Sequence, residues 1–185
     1  MNIDIFNTDK KYQVIYADPA WSFSSKKVGG TMKSGAANKY DVMSVKEMGL
    51  LPVKELAGDN CLLIMWWVGS QPYEALKLME DWGFRIANMN GFVWNKLTVK
   101  MLPFFGMGFY TRAGSESALI GVKGAATPLI DNHGVRAVRS AVVGKHSAKP
   151  HAFYDDIDKL CGNVPKVELF ARNTREGWDS WGNEL

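Results

Sequence analysis

Short strand-like runs alternate with helix-like segments along most of this sequence. Residues 12–17 are β-branched and aromatic, and residues 61–68 are apolar on both faces, as is typical of a central parallel strand. A helix follows Pro72, carries one apolar stripe of Ala75, Leu76, Met79 and Trp82, and ends at Gly83. This alternation predicts an α/β fold with a mostly parallel sheet and helices on both faces.

The remaining elements follow from local signals. Ser44 and Glu47 form a capping box that begins a helix near Met43, and Pro52 interrupts this helix. Further strands are expected at 92–96, 117–122 and 166–170, and another helix is expected from Pro150. Residues 103–112 are too glycine-rich for regular structure, and the tail 171–185 has no periodicity. We expect one domain, residues 1–185, because this length suffices for one sizeable core.

Composition excludes several classes of protein. The longest apolar run, residues 61–68, is too short to cross a bilayer, and the first residues do not resemble a signal peptide. Two cysteines make no disulfide framework, and the three histidines lack the spacing of a zinc site. We therefore expect a soluble, cytoplasmic protein with no metal and no membrane partner. The net charge of +3 is compatible with a polyanionic partner without requiring one.

The tetrapeptide Asp18-Pro19-Ala20-Trp21 directly follows the first predicted strand. Parallel sheets bind ligands beyond the carboxyl ends of their strands, where the turn after Val68 and the segment from Ala171 also lie. An amine conjugated to a ring, such as that of adenine, is a poor nucleophile. A site that methylates such an amine needs groups that accept its N–H protons, and a carboxylate together with a backbone carbonyl could do so. Asp18 and Pro19 would supply these acceptors, and Trp21 would stack on the base. Taken alone, Asp-Pro after a strand also fits an ordinary turn.

Here the sequence resembles the MT-A70-like adenine N6-methyltransferases of the compact bacterial or phage type, whose hallmark is Asp-Pro-Pro-Trp. The resemblance covers nearly the whole chain in the family's order. It includes Tyr40-Asp-Val-Met-Ser44, Leu63-Ile-Met-Trp66, Phe92-Val-Trp-Asn-Lys96, Phe105-Gly-Met-Gly-Phe-Tyr-Thr-Arg112, residues 116–124, His146-Ser-Ala-Lys-Pro150, Glu168-Leu-Phe-Ala-Arg172 and Gly177-Trp-Asp-Ser-Trp-Gly-Asn-Glu184. It implies a Rossmann-like methyltransferase fold. One departure is Ala20, which stands where the family has its second proline.

The resemblance implies a cofactor, S-adenosylmethionine, and residues that bind it. Asp18 would lie between the substrate amine and the cofactor's methionine end, and Lys149 would meet the cofactor carboxylate. The other expected cofactor-binding residues are Asp4, Ile5, Arg172, Asn173, Arg175, Asn183 and Glu184. Each also has a purely structural reading: Lys149 as a solvated helix start, Asn183 as a cap, and Arg172 as an ion-pair partner of a nearby glutamate.

The resemblance further implies methylation of adenine N6 in nucleic acid. The expected substrate-binding residues are Lys26, Lys27, Trp66, Lys96, Tyr110 and Arg112, and the basic region 136–145 could contact phosphates. The lysine-containing segment 22–40 also fits a solvated loop. DNA is favoured over RNA as the substrate because the chain lacks the extensions of eukaryotic RNA-modifying members. A catalytically silent nucleic-acid-binding subunit is the alternative, and a homo-oligomer or a partner subunit stays open.

Overall fold

Seven strands join in one sheet in the computed structural model. The structure describes residues 1–21, 43–108, 110–144, 148–183 and 185. The strands are β1 Tyr12–Ala17, β2 Ala57–Trp67, β3 Arg85–Leu97, β4 Ser115–Lys123, β5 Val138–Val142, β6 Lys166–Leu169 and β7 Asp179–Trp181. Their order across the sheet is β5-β3-β4-β2-β1-β6-β7. The four helices are α1 Val45–Gly49, α2 Val53–Leu56, α3 Pro72–Asp81 and α4 Ala152–Cys161, and a 3-10 turn spans Thr127–Leu129.

The strands run parallel except for one. β1 pairs in parallel with β2 and β6, and the pairs β3–β5 and β6–β7 are also parallel. β4 is antiparallel to both of its neighbours, β2 and β3. The predicted mostly parallel α/β sheet is therefore confirmed. The reversal of β4 places its first residues beside the carboxyl ends of β1, β2 and β3, so that strand starts and strand ends meet at one end of the sheet, here called the catalytic rim.

Helices cover both faces of this sheet, as the sequence predicted. Successive residues of β1 enter two separate clusters: Ile15 and Ala17 pack on the face covered by α1, α2 and α3, while Val14 and Tyr16 pack on the face covered by α4. The period of two residues along a strand produces this division. Because β1 and most of β2 are buried on both faces, their sequences are almost continuously apolar.

Local sequence signals place the helices. The capping box of α1 forms as expected, with Ser44 and Glu47 each accepting the other's backbone N–H. α3 begins with Pro72 at its first turn and buries Ala75, Leu78 and Met79. Gly83 follows with a φ of 83°, a left-handed conformation that glycine adopts without strain. The predicted stripe included Leu76, which is only partly buried, and it missed Leu78.

Several strands differ from the sequence-based expectation. β2 and β3 begin earlier than predicted, and β5 and β7 were not predicted. β5 and β7 are edge strands of five and three residues, and every side chain of β5 is at least partly exposed, so their sequences carry little apolar periodicity. Within the described part of the chain, no helix has the length and apolar character needed to cross a membrane.

Candidate active site

The turn after β1 places Asp18 at the catalytic rim. β1 lies between β2 and β6, and its last residue, Ala17, is in register with Met65 and Leu169. The backbone N–H of Trp21 donates to the carbonyl of Pro19 at 2.8 Å, which closes the turn without the family's second proline. The Pro19 oxygen retains a second lone pair, so it can still accept another hydrogen bond.

An alternating series of charges extends from Asp18 across the rim. The ammonium of Lys149 lies 2.6 Å from Oδ2 of Asp18 and 3.4 Å from Oε2 of Glu116. Lys96 pairs with the other oxygen of Glu116 at 2.5 Å. These four residues come from the turn after β1, the segment before α4, the start of β4 and the end of β3. Only the tertiary fold brings them together.

Burial and the neighbouring charges shift the pKa values of three residues in this series. The side chain of Lys149 is 9% exposed and that of Asp18 is 23% exposed. Burial raises the pKa of Asp18 above its ordinary value, although the Lys149 charge opposes this change. Burial alone would also raise the pKa of Glu116, but Lys149 and Lys96 outweigh it and lower that pKa. For Lys149, the effect of burial is overcome by Asp18 and Glu116, so its pKa is raised and the ammonium stays charged.

Two tryptophans form the floor beneath these lysines. Lys149 lies over the ring of Trp66 at 5.2 Å and Lys96 lies over that of Trp94 at 4.9 Å, both within cation–π range. The indole N–H of Trp66 donates to the hydroxyl of Tyr16 at 2.6 Å. Trp66 is only 2% exposed, so the expectation that it contacts substrate directly does not match its position. Its ring supports Lys149 instead.

Trp21 also lies deeper than expected. Its side chain is 5% exposed, and its indole N–H donates to the carbonyl of Trp66 at 3.0 Å. These contacts hold the tetrapeptide turn against the end of β2. A base could stack on this ring only if the ring became uncovered, so the stacking role stays a prediction.

A second buried carboxylate lies on the strand beside Asp18. Glu168 of β6 is in register with Tyr16 and accepts a hydrogen bond from the hydroxyl of Tyr154 at 2.7 Å. Burial raises the pKa of Glu168 to about 7, and the negative charge of Asp18 contributes to this rise. Glu168, Tyr16 and Glu116 were not predicted as site residues, although Glu168 and Glu116 lie in stretches that resemble the family.

Three of the predicted cofactor residues follow backbone segments that meet at the β6–β7 side of the same rim. The N–H of Ala171 donates to the carbonyl of Trp181 at 2.9 Å, and a side chain at Gly182 would collide with the Ala171 backbone. Arg172 and Asn173 directly follow Ala171 in the chain, and Asn183 directly follows Gly182. Burial raises the pKa of Asp18, and the charge of Arg172 opposes this rise, as Lys149 does more strongly.

The N-terminal segment approaches this side as well. Asn2 forms a parallel bridge with Ser180, which directs Asp4 and Ile5 toward the end of β7. The Asp4 carboxylate accepts the N–H of Phe6 at 3.0 Å, and Ile5 is buried in the core. The side chain of Ile5 therefore packs inward.

Arg175 and the basic region have other partners. Arg175 pairs with Asp155 of α4 at 2.7 Å and lies over the ring of Tyr154, so it braces α4 against the tail. Arg139, in the region expected to contact phosphates, forms a two-pronged ion pair with Asp156. Tyr110 and Arg112 lie in the exposed loop between β3 and β4. Lys26, Lys27 and Glu184 lie outside the described residues, as does Lys145 of the basic region.

The chain is similar to known proteins over nearly its whole length. Residues 12–184 match the family model MT-A70. The chain is 36% identical over 190 residues to the type II methyltransferase M.MunI of a Mycoplasma species, which covers 95% of this chain and 78% of that relative. It is 27% identical over 193 residues to the human N(6)-adenine-specific methyltransferase METTL4, covering 98% of this chain and 39% of that relative. The human N(6)-adenosine-methyltransferase catalytic subunit METTL3 is 27% identical over 180 residues, covering 95% of this chain and 28% of that relative.

The chain thus spans most of the bacterial relative but well under half of either human one. The family model covers nearly the whole sheet, from the first residue of β1 to beyond β7. The resemblance seen in the sequence is therefore confirmed, and this protein belongs to the MT-A70 family.

Proposed function

We propose that this protein transfers a methyl group from S-adenosylmethionine to the N6 amine of adenine in DNA. The observation that carries this proposal is the position of Asp18, a partly buried carboxylate at the carboxyl end of a central strand, next to the Pro19 carbonyl and paired with Lys149. Family membership supports the same activity.

The residues at the rim fit the cofactor. Lys149 provides a nearly buried cation for the methionine carboxylate, and Asp18 provides an anion for the methionine ammonium. Asp4, Arg172, Asn173 and Asn183 offer polar groups on the β6–β7 side for the nucleoside part. When bound, the cofactor supplies an activated methyl group on a positively charged sulfur.

Asp18 and Pro19 would prepare the amine for attack. The adenine nitrogen is unreactive because its lone pair is delocalised into the ring. If the Asp18 carboxylate and the Pro19 carbonyl each accept one N–H, the nitrogen can pyramidalise and direct its lone pair toward the methyl carbon. The bound cofactor would supply the methyl group and keep the electron pair of the broken carbon–sulfur bond, and the proton that the methylated nitrogen releases would leave through the Asp18 carboxylate to solvent. Alignment of this kind can contribute about 7–11 kcal/mol to lowering the barrier.

The choice of DNA rests on the similarity to the bacterial type II methyltransferase, at 36% identity. Among the relatives named above, the chain covers 78% of the bacterial type II methyltransferase and far less of the human enzymes. RNA methylation is the second candidate, because METTL3 is named as an adenosine methyltransferase. The silent-subunit alternative is disfavoured, since such a subunit needs neither Asp18 nor a buried lysine paired with it. Location in the cytoplasm stays a prediction.

The test is transfer of tritium from labelled S-adenosylmethionine to unmethylated DNA and RNA, each offered single- and double-stranded. The matched variants are Asp18→Asn, which keeps the shape of the side chain but removes its charge, and Asp179→Asn, which removes a carboxylate at the opposite end of the sheet. We expect label on N6 of DNA adenine, lost by about a hundredfold or more in Asp18→Asn and kept in Asp179→Asn. Label on RNA alone would reassign the substrate. Measurable cofactor binding without methylation of any nucleic acid would refute the proposal.

A further inference from the structure

A loop at the catalytic rim exposes apolar side chains that the proposed reaction leaves without a role. This loop, residues 98–114, joins β3 to β4 and is described except for residue 109. Its strongly exposed apolar residues are Val99, Met101, Leu102, Phe105, Met107 and Tyr110. Phe105 is 73% exposed and Tyr110 is fully exposed. Six strongly exposed apolar residues within one short loop are more than the scattered ones of an ordinary surface, and apolar surface concentrated in this way marks an interaction site.

The loop is held in a defined shape. Leu97 bridges Pro103, and Gly106 bridges Ala113 with its N–H donating to the Ala113 carbonyl at 3.0 Å. Any side chain at Gly106 or Gly108 would collide with the facing backbone, so both glycines are needed for this tight packing. The apolar side chains are therefore exposed on an ordered scaffold.

The base of the loop is connected to the catalytic carboxylate. Lys96, just before the loop, pairs with Glu116, just after it, and Glu116 pairs with Lys149, which pairs with Asp18. In addition, the N–H of Lys96 donates to the carbonyl of Gly114 at 2.9 Å. Ion pairs thus join the base of the loop to the site where the target amine would lie.

The charges of the loop favour a polyanion. Lys100 and Arg112 are its charged residues, and residues 98–114 contain no acid. The guanidinium of Arg112 lies over the ring of Phe105 at 4.8 Å, so a cation and an exposed aromatic face occur side by side. Phosphates can pair with the cations while bases stack on the rings. A second copy of the chain would bring the cations of two loops together with no acid in either loop to balance them.

We propose that this loop inserts into double-stranded DNA beside the target adenine and holds the base out of the duplex. The inference rests on the proposed function. An adenine inside a duplex must be flipped out before its amine can reach Asp18, and its departure leaves a gap in the base stack. Apolar side chains such as Phe, Met and Leu can wedge between base pairs and stabilise such a distortion. Phe105 and Tyr110 are the side chains best placed to fill the gap.

The experiment compares duplex and heat-denatured forms of the same unmethylated genomic DNA, so that the target sequence need not be known. The test variants are the double variant Phe105→Ala/Tyr110→Ala and the single variant Tyr110→Ala. Since Tyr110 is fully exposed, its removal loses no buried contact. The control is Leu50→Ala, which removes an exposed apolar residue beside the C-terminal end of α3, away from the rim.

We expect kcat/KM for duplex DNA to fall about tenfold or more in the double variant, with a smaller loss on denatured DNA and none in Leu50→Ala. Arg112→Ala should also reduce the salt dependence of duplex binding by about one counterion, whereas Lys159→Ala at the far end of α4 should not. Equal losses of kcat/KM on duplex and denatured DNA would refute the insertion of the loop into the duplex.

Two further measurements separate the explanations. Fluorescence anisotropy with a labelled duplex tests whether the loop binds DNA even if no methylation occurs. Weaker duplex binding by the double variant, but not by Leu50→Ala, would support the inference. The methylation result decides the proposed function separately. Light scattering tests the competing occupant. A wild-type dimer that becomes monomeric in the double variant would assign the loop to self-association and refute the inference.

Discussion

Replacing Lys149 with methionine should destabilise the protein in a way that depends on pH. The ammonium lies 2.6 Å from Asp18 and 3.4 Å from Glu116. At an effective dielectric constant of about 20, these distances correspond to Coulomb attractions of about 6 and about 5 kcal/mol before desolvation is counted. Breaking a buried pair costs about 3–5 kcal/mol. Because Glu116 is 33% exposed and keeps Lys96, we expect a loss of about 3 kcal/mol near pH 8.

The direction of the pH dependence follows from the two carboxylates. Without Lys149, the pKa of Asp18, which burial already raises above its ordinary value, rises further, and the pKa of Glu116 loses one of the two charges that lower it. The variant therefore keeps most of its stability at low pH, where Asp18 is protonated, and loses it as the pH rises through the folded-state pKa of Asp18. The deficit relative to wild type should be small near pH 5 and largest near pH 8.

Urea unfolding of both proteins at these two pH values measures the effect. The double variant Asp18→Asn/Lys149→Met provides the matched control. It keeps the Lys96–Glu116 pair, and it removes the carboxylate at position 18 that would otherwise lack a counter-charge. We expect it to recover most of the lost stability near pH 8. A deficit that is equal at both pH values, or a double variant whose losses simply add, would show that Lys149 contributes packing rather than charge compensation.

Two other predictions concern residues outside this series. Burial raises the pKa of Glu168 from an ordinary 4.5 to about 7, so the free energy of unfolding should decline by up to about 3 kcal/mol as the pH rises through this range. Urea unfolding as a function of pH measures this decline, which Glu168→Gln should flatten. An unchanged slope in the variant would contradict the prediction. Gly91→Ala should cost about 1–3 kcal/mol in thermal unfolding because its new methyl group would collide with Ile120, whereas Gly144→Ala, with open space around it, should be neutral; equal effects of the two changes would disprove the packing argument.

Local sequence signals were sufficient where short-range physics decides the structure. The capping box of Ser44 and Glu47, the proline at the start of α3 and the glycine that ends it all act within a few residues, and each appears where expected. The apolar runs of β1 and β2 identified the buried centre of the sheet. The edge strands β5 and β7 were not predicted, because half-exposed strands do not need an apolar pattern.

The tetrapeptide at residues 18–21 and the order of the family-like segments indicated the chemistry and the family from the sequence alone, because both are properties of contiguous residues. Which charges surround Asp18 was decided by tertiary structure. The antiparallel direction of β4 brings Glu116 to the rim, where it separates two lysines from distant parts of the chain. Burial also decided that Trp66 supports Lys149, and it covers Trp21, whose stacking on a base stays a prediction. Strand direction and burial depend on residues far apart in the sequence, and so only the fold determines them.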